Sequence, residues 1–300
     1  MSHYNDVDSN LSSSNTSQSA SATKKALFGG TEERRITTQD LLSAKQRGEK
    51  WPMITCYDAM TSEIFDSAGF PVLLVGDSAA MVVFGFSSTL PVTSSMLIPL
   101  VAAVERGSKR AMVVADLPFG TYQESPDQAL ATATKFMKEG NAHAVKIEGG
   151  AHLAPTVRLL TQSGIPVVAH IGLTPQSVYQ IGGYRVQGRG EDAQRLIDDA
   201  LALQDAGACA IVLEVVPQEL AKTITEQLRI PTIGIGAGVH TDAQVIVWQD
   251  LLGLNGSTPA KFVKQYANLR SEIFNASTSW ARDVVAVSYT HLTLPTIVLV

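Results

Sequence analysis

Five short apolar runs in this sequence each end in an acidic residue or a histidine. The residues at these ends are Asp77, Asp116, Glu148, His170 and Glu214. In a parallel barrel the carboxyl ends of all strands face one mouth, where the catalytic groups of that fold lie. The spacing therefore predicts that these five side chains converge on one pocket.

Carboxylates crowded into one pocket repel each other unless a cation or a shared proton holds them together. A set of oxygen ligands without cysteine suits Mg²⁺ better than zinc. Asp77, Asp116 and Glu148 come from consecutive runs and form the predicted ligand trio, which leaves Glu214 free for proton transfer. The alternative for any single acid is that it caps the following helix or pairs with a basic side chain.

Lys146 alternates with Val145 and Ile147 inside an apolar run, so its ammonium group requires an anionic partner. A substrate carboxylate or a neighbouring ligand acid would serve. His170, taken alone, is more typical of a hydrogen-bonded core histidine than of a catalytic one, and only its place at the end of a run favours a role in the pocket.

Eight β-branched apolar runs alternate with helical patterns between Trp51 and Asp250. The predicted strands are Pro52–Thr55, Val72–Val75, Ala111–Ala115, Ala144–Ile147, Pro166–Ala169, Ala210–Leu213, Thr232–Ile235 and Val245–Trp248. Continuous apolar strands are typical of a parallel sheet that helices cover on both faces. An open doubly wound sheet and a closed (β/α)8 barrel both satisfy this pattern, and the eight strands favour the barrel.

Two glycine-rich segments are further candidates for function. Gly234–Gly238 follows the seventh run, where barrels commonly bind phosphate through backbone amides, although glycines there also serve a tight turn. Gly182–Gly190 is long and basic, which fits either a lid over an anionic substrate or a solvated loop.

The composition excludes several classes of protein. The chain has 300 residues and a net charge of -5, which gives no reason to expect a nucleic-acid partner. No apolar run reaches the length of a transmembrane helix, so no membrane partner is expected. Cys56 and Cys209 lack the spacing of a zinc site or a disulfide framework, which fits a reducing cytosol and predicts a cytoplasmic location. Residues 1–30 are interpreted as a disordered serine-rich leader, ahead of a barrel domain over 31–286.

Several motifs resemble those of the ketopantoate hydroxymethyltransferase family. They are Val75–Ser78, Ser88–Thr93, Ala115–Phe119, Val145–Gly150, Gly172–Gln176, Gly182–Arg189 and Gly234–Gly238. The resemblance implies a (β/α)8 barrel of the phosphoenolpyruvate/pyruvate-domain type. It implies transfer of a hydroxymethyl group from 5,10-methylenetetrahydrofolate to 3-methyl-2-oxobutanoate, which gives 2-dehydropantoate in the first step of pantothenate biosynthesis.

The resemblance also implies roles for individual residues and an assembly state. Asp77 and Asp116 would ligate Mg²⁺, with Glu148 completing the shell, while Ser78 and Lys146 hold the substrate carboxylate. Glu214 would be the base that removes the C3 proton, and His170 would line the pocket. The family forms homodecamers, and the same assembly is expected here.

The sequence departs from the family pattern at several positions. Phe86 and Ser87 stand where the family usually has a polar pair ending in an acid, and Val239 and Ala243 replace an asparagine and a glycine. The segment 287–300 also departs from the family's usual ending, which leads to the hypothesis that it is a non-native translation. Two other functions stay open at this point: a carbon–carbon lyase of the isocitrate-lyase type, and an inactive barrel that binds keto acids or folate.

Overall fold

A computed structural model describes residues 26–30, 34–256 and 260–286. The described chain divides into two compact units, Met1–Val245 and Ile246–Val300. This division at Val245 differs from the prediction of one domain over 31–286. Most of the predicted leader and the whole segment 287–300 lie outside the described residues.

Eight strands form a closed barrel in the order of the sequence. They are β1 Trp51–Thr55, β2 Val72–Val75, β3 Met112–Asp116, β4 Ala144–Glu148, β5 Val167–Gly172, β6 Ala210–Glu214, β7 Thr232–Ile235 and β8 Ala243–Ile246. Each strand from β1 to β7 pairs in parallel with the next one. The barrel prediction is confirmed, and the open doubly wound sheet is wrong.

Helices follow the strands along the chain. In the first unit they are α1 Thr38–Gln46, α2 Ala59–Ser67, α3 Ala79–Val82, α4 Ser94–Gly107, α5 Pro126–Glu139, α6 Ala154–Gln162, α7 Val178–Ile181, α8 Asp192–Asp205 and α9 Gln218–Gln227, with short 3-10 helices at Ala151–Leu153 and Pro175–Ser177. In the second unit they are α10 Trp248–Leu251 and α11 Leu269–Val285. Local signals set these bounds: at α5 the side chain of Ser125 accepts a hydrogen bond from the amide of Gln128, and Pro126 occupies the first turn.

The last strand lies earlier than predicted. The apolar run Val245–Trp248 suggested a strand, but β8 is Ala243–Ile246 and Trp248 begins α10. Gln244 is exposed in the middle of β8 between buried neighbours, so the strand alternates in polarity instead of forming a continuous apolar run.

The lower part of the barrel interior is apolar. Side chains of alternate strand residues, such as Met112 with Val114 and Ala210 with Val212, form one buried cluster. Leu41 and Ala44 of α1 belong to the same cluster. A hydrophobic floor therefore lies beneath the carboxyl ends of the strands.

The predicted disordered leader includes residues that pack against the barrel. Leu27 is only 2% exposed and belongs to the barrel cluster. The amide of Gly29 donates to the carbonyl of Gly69 at 3.1 Å, and Phe28 packs edge-on against Phe70. The boundary at residue 30 is therefore wrong for Ala26–Gly30: the few apolar residues there suffice to attach this segment to the barrel.

Candidate active site

The candidate site continues the apolar rows of the barrel interior toward the carboxyl ends of the strands. Residues two apart on a strand share a face, so Asp116 follows Met112 and Val114 on β3, and Glu214 follows Ala210 and Val212 on β6. The other members of the site are Lys146 and Glu148 on β4, His170 on β5, and Asp77 and Ser78 directly after β2. Strand register places Asp116 beside Lys146 and Glu148 beside His170.

Lys146 is the central cation of the site. Its Nζ lies 3.1 Å from Oδ1 of Asp116 and 3.7 Å from Oε1 of Glu148. Burial lowers the pKa of the ammonium group, but the nearby carboxylates of Asp116, Glu148 and Asp77 outweigh burial and raise it above its ordinary value. Lys146 is therefore charged, and it already has the anionic partners that its position in a strand requires.

His170 bridges two acids. Its Nδ1 lies 3.4 Å from Oε1 of Glu148, and its Nε2 lies 3.2 Å from Oε2 of Glu214. Burial and the charge of Lys146 lower the pKa of the imidazole, but Glu148 and Glu214 outweigh them and raise it to about 9. A protonated ring cannot accept a hydrogen bond, so the 3.2 Å contact between Lys146 Nζ and His170 Nδ1 joins two cations that share Glu148.

Asp77 and Asp116 form an adjacent pair. The amide of Asp77 donates to Oδ2 of Asp116 at 3.0 Å. Burial raises the pKa of both carboxyl groups; at Asp77 the charges of Glu148 and Asp116 raise it further, whereas at Asp116 the charge of Lys146 opposes the rise. The pair therefore gains from any additional positive charge placed beside it.

Ser78 lies next to this pair and contacts a buried tyrosine. Its Oγ lies 2.8 Å from the hydroxyl of Tyr57. Burial raises the pKa of Tyr57, so this phenol stays neutral and is able to donate to Ser78. Tyr57 lies two residues after β1 and was not among the predicted site residues.

Two further buried residues join the site without having been predicted. Gln176 donates from Nε2 to Oδ2 of Asp77 at 2.9 Å, and from its amide to Oε2 of Glu148 at 2.9 Å. The hydroxyl of Tyr122 accepts from the amide of Glu148 at 3.1 Å and lies 2.7 Å from Oε1 of Gln176. Gln176 ends one of the family-like motifs, which was the only signal available for it.

Glu148 is the most strongly engaged of the acids. Burial raises the pKa of its carboxyl group, but His170, Lys146 and the amide of Gln176 outweigh burial and hold it below its usual range. One of its oxygens faces the two cations, and the other accepts from Gln176. Glu148 is therefore an ionised partner of Lys146 and His170.

The donor atoms of the site suit a hard cation. Oδ1 of Asp116 is buried and, within the described part of the chain, accepts no hydrogen bond apart from its ion pair with Lys146. Among the described residues, no three His, Cys, Asp or Glu side chains are grouped so that they could hold a metal ion on their own. Asp77 and Asp116 thus offer part of an oxygen shell for Mg²⁺, which usually keeps water or substrate ligands.

The two glycine-rich segments differ in their relation to the site. In the segment 182–190, Tyr184 is exposed, and burial and then the charges of Glu214, Asp77 and Glu148 raise the pKa of its phenol. The amide of Gln187 donates to the carbonyl of Val215, the residue after Glu214. By contrast, Gly238 has a φ of 78° and packs against Gln218, which supports the tight-turn interpretation of Gly234–Gly238.

The departures from the family pattern lie outside the cluster of ionised groups. Phe86 is partly exposed after α3, and Val239 is exposed. Ala243 is buried in the barrel cluster, where its register partner is Ile233. The added methyl group of Ala243 therefore contributes to the apolar floor.

Comparison with known proteins identifies the family. A family model described as ketopantoate hydroxymethyltransferase matches residues 35–291. The chain belongs to this family. A 3-methyl-2-oxobutanoate hydroxymethyltransferase of Thermobifida fusca (strain YX) is 60% identical over 265 residues, which cover 88% of this chain and 94% of the relative. A protein of the same name from Rhodococcus jostii (strain RHA1) is 52% identical over 281 residues, which cover 92% and 97%.

Solved structures outside the ketopantoate hydroxymethyltransferase family share the fold. A 2,3-dimethylmalate lyase, described as a PEP mutase/isocitrate lyase superfamily member, aligns with a TM-score of 0.56 and 17% identity, and the match covers 87% of this chain and 92% of that one. Phosphonopyruvate hydrolase in complex with oxalate and Mg²⁺ aligns with a TM-score of 0.55 and 11% identity, covering 86% and 93%. At these identities the likeness concerns the barrel alone. Within the described residues, no helix combines the length and apolarity needed to cross a bilayer.

Proposed function

We propose that this chain is a transferase that moves a hydroxymethyl group to 3-methyl-2-oxobutanoate and yields 2-dehydropantoate, the first step of pantothenate biosynthesis. The one-carbon donor is 5,10-methylenetetrahydrofolate. The C3 proton leaves, the methylene carbon of the donor bonds to C3, and both carbon–nitrogen bonds of the methylene bridge break. Water supplies the hydroxyl group, while the C3 proton and the remaining proton of that water end on the two folate nitrogens. The names of relatives at 52–60% identity support this reaction.

One observation carries the assignment of roles: the acids of the mouth differ in their access to substrate. The side chains of Asp116 and Glu148 are 3% and 2% exposed, whereas that of Glu214 is 16% exposed. Glu214 is the acid that a keto acid in the mouth reaches first. Glu214 therefore acts as the base that accepts the C3 proton.

The neighbours of Glu214 suit this role. Nε2 of His170 lies 3.2 Å from Oε2, an ion-pair distance at which the charged imidazole would orient the carboxylate. Because His170 is itself linked to Glu148, the imidazole couples the base to the buried part of the site. His170 thus lines the pocket and orients the base.

The carboxylate of the substrate is held by Ser78 and Lys146. Lys146 is charged, and the hydroxyl of Ser78 is directed by Tyr57. These two donors come from neighbouring parts of the mouth, one after β2 and one on β4. Together they would orient C3 of the keto acid toward Glu214.

Asp77 and Asp116 would hold Mg²⁺, with Glu148 completing the shell. When bound, the ion supplies Lewis-acid polarisation of the keto group. The raised pKa values of both aspartates support a cation at this place, since added positive charge favours their ionised forms.

The chain is further proposed to assemble with copies of itself, with a homodecamer as the expected state. Membership of the ketopantoate hydroxymethyltransferase family supports this assembly. Light scattering coupled to gel filtration measures the assembled mass, and a monomer at micromolar concentration would contradict this part of the proposal.

The reaction is tested by mass spectrometry on the full chain with both substrates, in the presence of Mg²⁺ or of excess EDTA. We expect 2-dehydropantoate only with Mg²⁺. In deuterated water, Glu214→Gln should suppress C3 proton exchange by at least about a hundredfold, since general-base catalysis contributes roughly 10²–10⁴-fold. Binding of the keto acid should be almost unchanged, and exchange at the wild-type rate in this variant would assign the base to another residue.

A further inference from the structure

Gln176 uses its full hydrogen-bonding capacity inside the site. Its side-chain amide donates to Oδ2 of Asp77 at 2.9 Å and to the carbonyl of Leu117 at 3.0 Å. Its Oε1 lies 2.7 Å from the hydroxyl of Tyr122 and accepts from Gln123 at 3.2 Å. Two donors and two acceptor positions are thus all occupied in a residue that is 5% exposed.

These contacts fix the orientation of the amide. The Leu117 carbonyl can only accept, so it requires the nitrogen of Gln176, which also reaches Asp77, whereas the amide group of Gln123 donates to the oxygen of Gln176. A flipped amide would place an oxygen against a carboxylate and a carbonyl. The Tyr122 hydroxyl accepts from the amide of Glu148, and its proton faces Oε1 of Gln176 at 2.7 Å and the carbonyl of Glu148 at 3.2 Å. The shorter contact favours donation to Gln176.

Gln176 also connects two strands of the site. It lies in the short 3-10 helix Pro175–Ser177 after β5, yet its side chain reaches Asp77 after β2 and its backbone amide reaches Glu148 on β4. Only Oδ2 of Asp77 is engaged in this way. Among the described residues, no hydrogen-bond donor contacts Oδ1, so Gln176 leaves this oxygen for a ligand in the mouth.

We propose that Gln176 is a positioning residue for the hydroxymethyl transfer: it holds the carboxylate of Asp77 in a single rotamer, with Oδ2 turned toward the protein and Oδ1 toward the cation and keto acid. This inference rests on the proposed function for its role in turnover. The hydrogen bond from Gln176 to Asp77 is independent of that function. Partners of this kind orient metal-binding carboxylates, and their loss typically costs 10–100-fold in metal affinity or activity.

The test replaces Gln176 by methionine, which has a similar length and neither donates nor accepts strongly. The matched control is Gln227→Met at the exposed end of α9. Mn²⁺ serves as the probe because it prefers oxygen ligands and its free form is counted by electron paramagnetic resonance. Thermal unfolding of each purified variant shows whether it is folded.

We expect folded Gln176→Met to bind Mn²⁺ about 10–100-fold more weakly than wild type and to lose a similar factor in kcat. The control should match wild type in both. If Gln176→Met does not fold, Tyr122→Phe provides the second variant, because it removes the hydroxyl that orients the amide, and it should weaken Mn²⁺ binding by about threefold or more.

The outcomes separate this inference from the proposed function. Wild type that makes 2-dehydropantoate, together with a folded Gln176→Met that keeps its Mn²⁺ affinity and kcat within twofold, overturns the positioning role. Wild type that makes no product, while Gln176→Met still weakens Mn²⁺ binding, overturns the reaction and supports the positioning of Asp77. Unchanged Mn²⁺ binding by a folded Tyr122→Phe would also count against the inference.

Discussion

Replacement of His170 by glutamine should lower the free energy of unfolding more at pH 6.5 than at pH 9.5. In the folded chain the pKa of His170 is raised from 6.5 to about 9, since Glu148 and Glu214 outweigh burial and Lys146. A group whose pKa is higher in the folded state contributes stability that is complete below its unfolded pKa and is lost as the pH rises through the folded value. The window for His170 therefore extends from pH 6.5 to about 9.

The size of the effect follows from the same values. A pKa difference of one corresponds to about 1.4 kcal/mol, so the rise from 6.5 to about 9 corresponds to roughly 3 kcal/mol of unfolding free energy. The imidazole is buried, with a side chain 3% exposed, so solvent screening removes little of this amount. His170→Gln lacks this contribution at every pH.

Urea unfolding of wild type and His170→Gln in EDTA, at pH 6.5, 8 and 9.5, measures the difference. EDTA keeps added cations from competing with the imidazole for the acids of the site. We expect the gap in unfolding free energy to shrink by about 3 kcal/mol between the first and the last pH. A gap that is constant across the three values would refute the charged bridge between Glu148 and Glu214.

Two other substitutions test the buried charges and the backbone beside the base. Lys146→Met leaves Asp116 and Glu148 without their ammonium partner and should lower the unfolding free energy by about 3–5 kcal/mol. In the same urea series, the exposed control Lys222→Met should change the unfolding free energy by less than about 0.5 kcal/mol. Equal effects of the two substitutions would contradict the ion-pair geometry. Val215 has a φ of 48°, which is strained for a β-branched residue, so Val215→Asn should raise the thermal midpoint, with a gain of about 1 kcal/mol. A lower midpoint would mean that side-chain contacts of Val215 outweigh its backbone strain.

The barrel and its ionised cluster were predictable because one periodicity governs both. Alternate residues of a buried strand face the interior, so an acid that continues an apolar row, as Asp116 continues Val114, must face the mouth. The pairing of Asp116 with Lys146 follows from parallel register. The last strand was misplaced because its exposed Gln244 breaks the apolar pattern that marks the buried strands.

Strand periodicity could not predict which residues on the connecting segments reach the site. Gln176 reaches the site from a short 3-10 helix after β5 and Tyr122 from a loop after β3, where no strand period fixes the direction of a side chain. Their contacts depend on the packing of segments far apart in the sequence, such as the pairing of Gln176 with Asp77. The attachment of Leu27 was hidden for a similar reason, since one apolar residue in a polar segment carries no periodic signal.

The hydrophobic floor of the barrel limits the routes that a proton can take. Val114, Val168 and Val212 lie one pleat below the ionised cluster, and each is at most 2% exposed. Water chains cannot pass through such a packed apolar layer. Under the proposed mechanism, a proton accepted by Glu214 would therefore leave toward the open side of the mouth and not through the floor. Access of solvent from that side would set how often the same hydrogen returns to the carbon it came from.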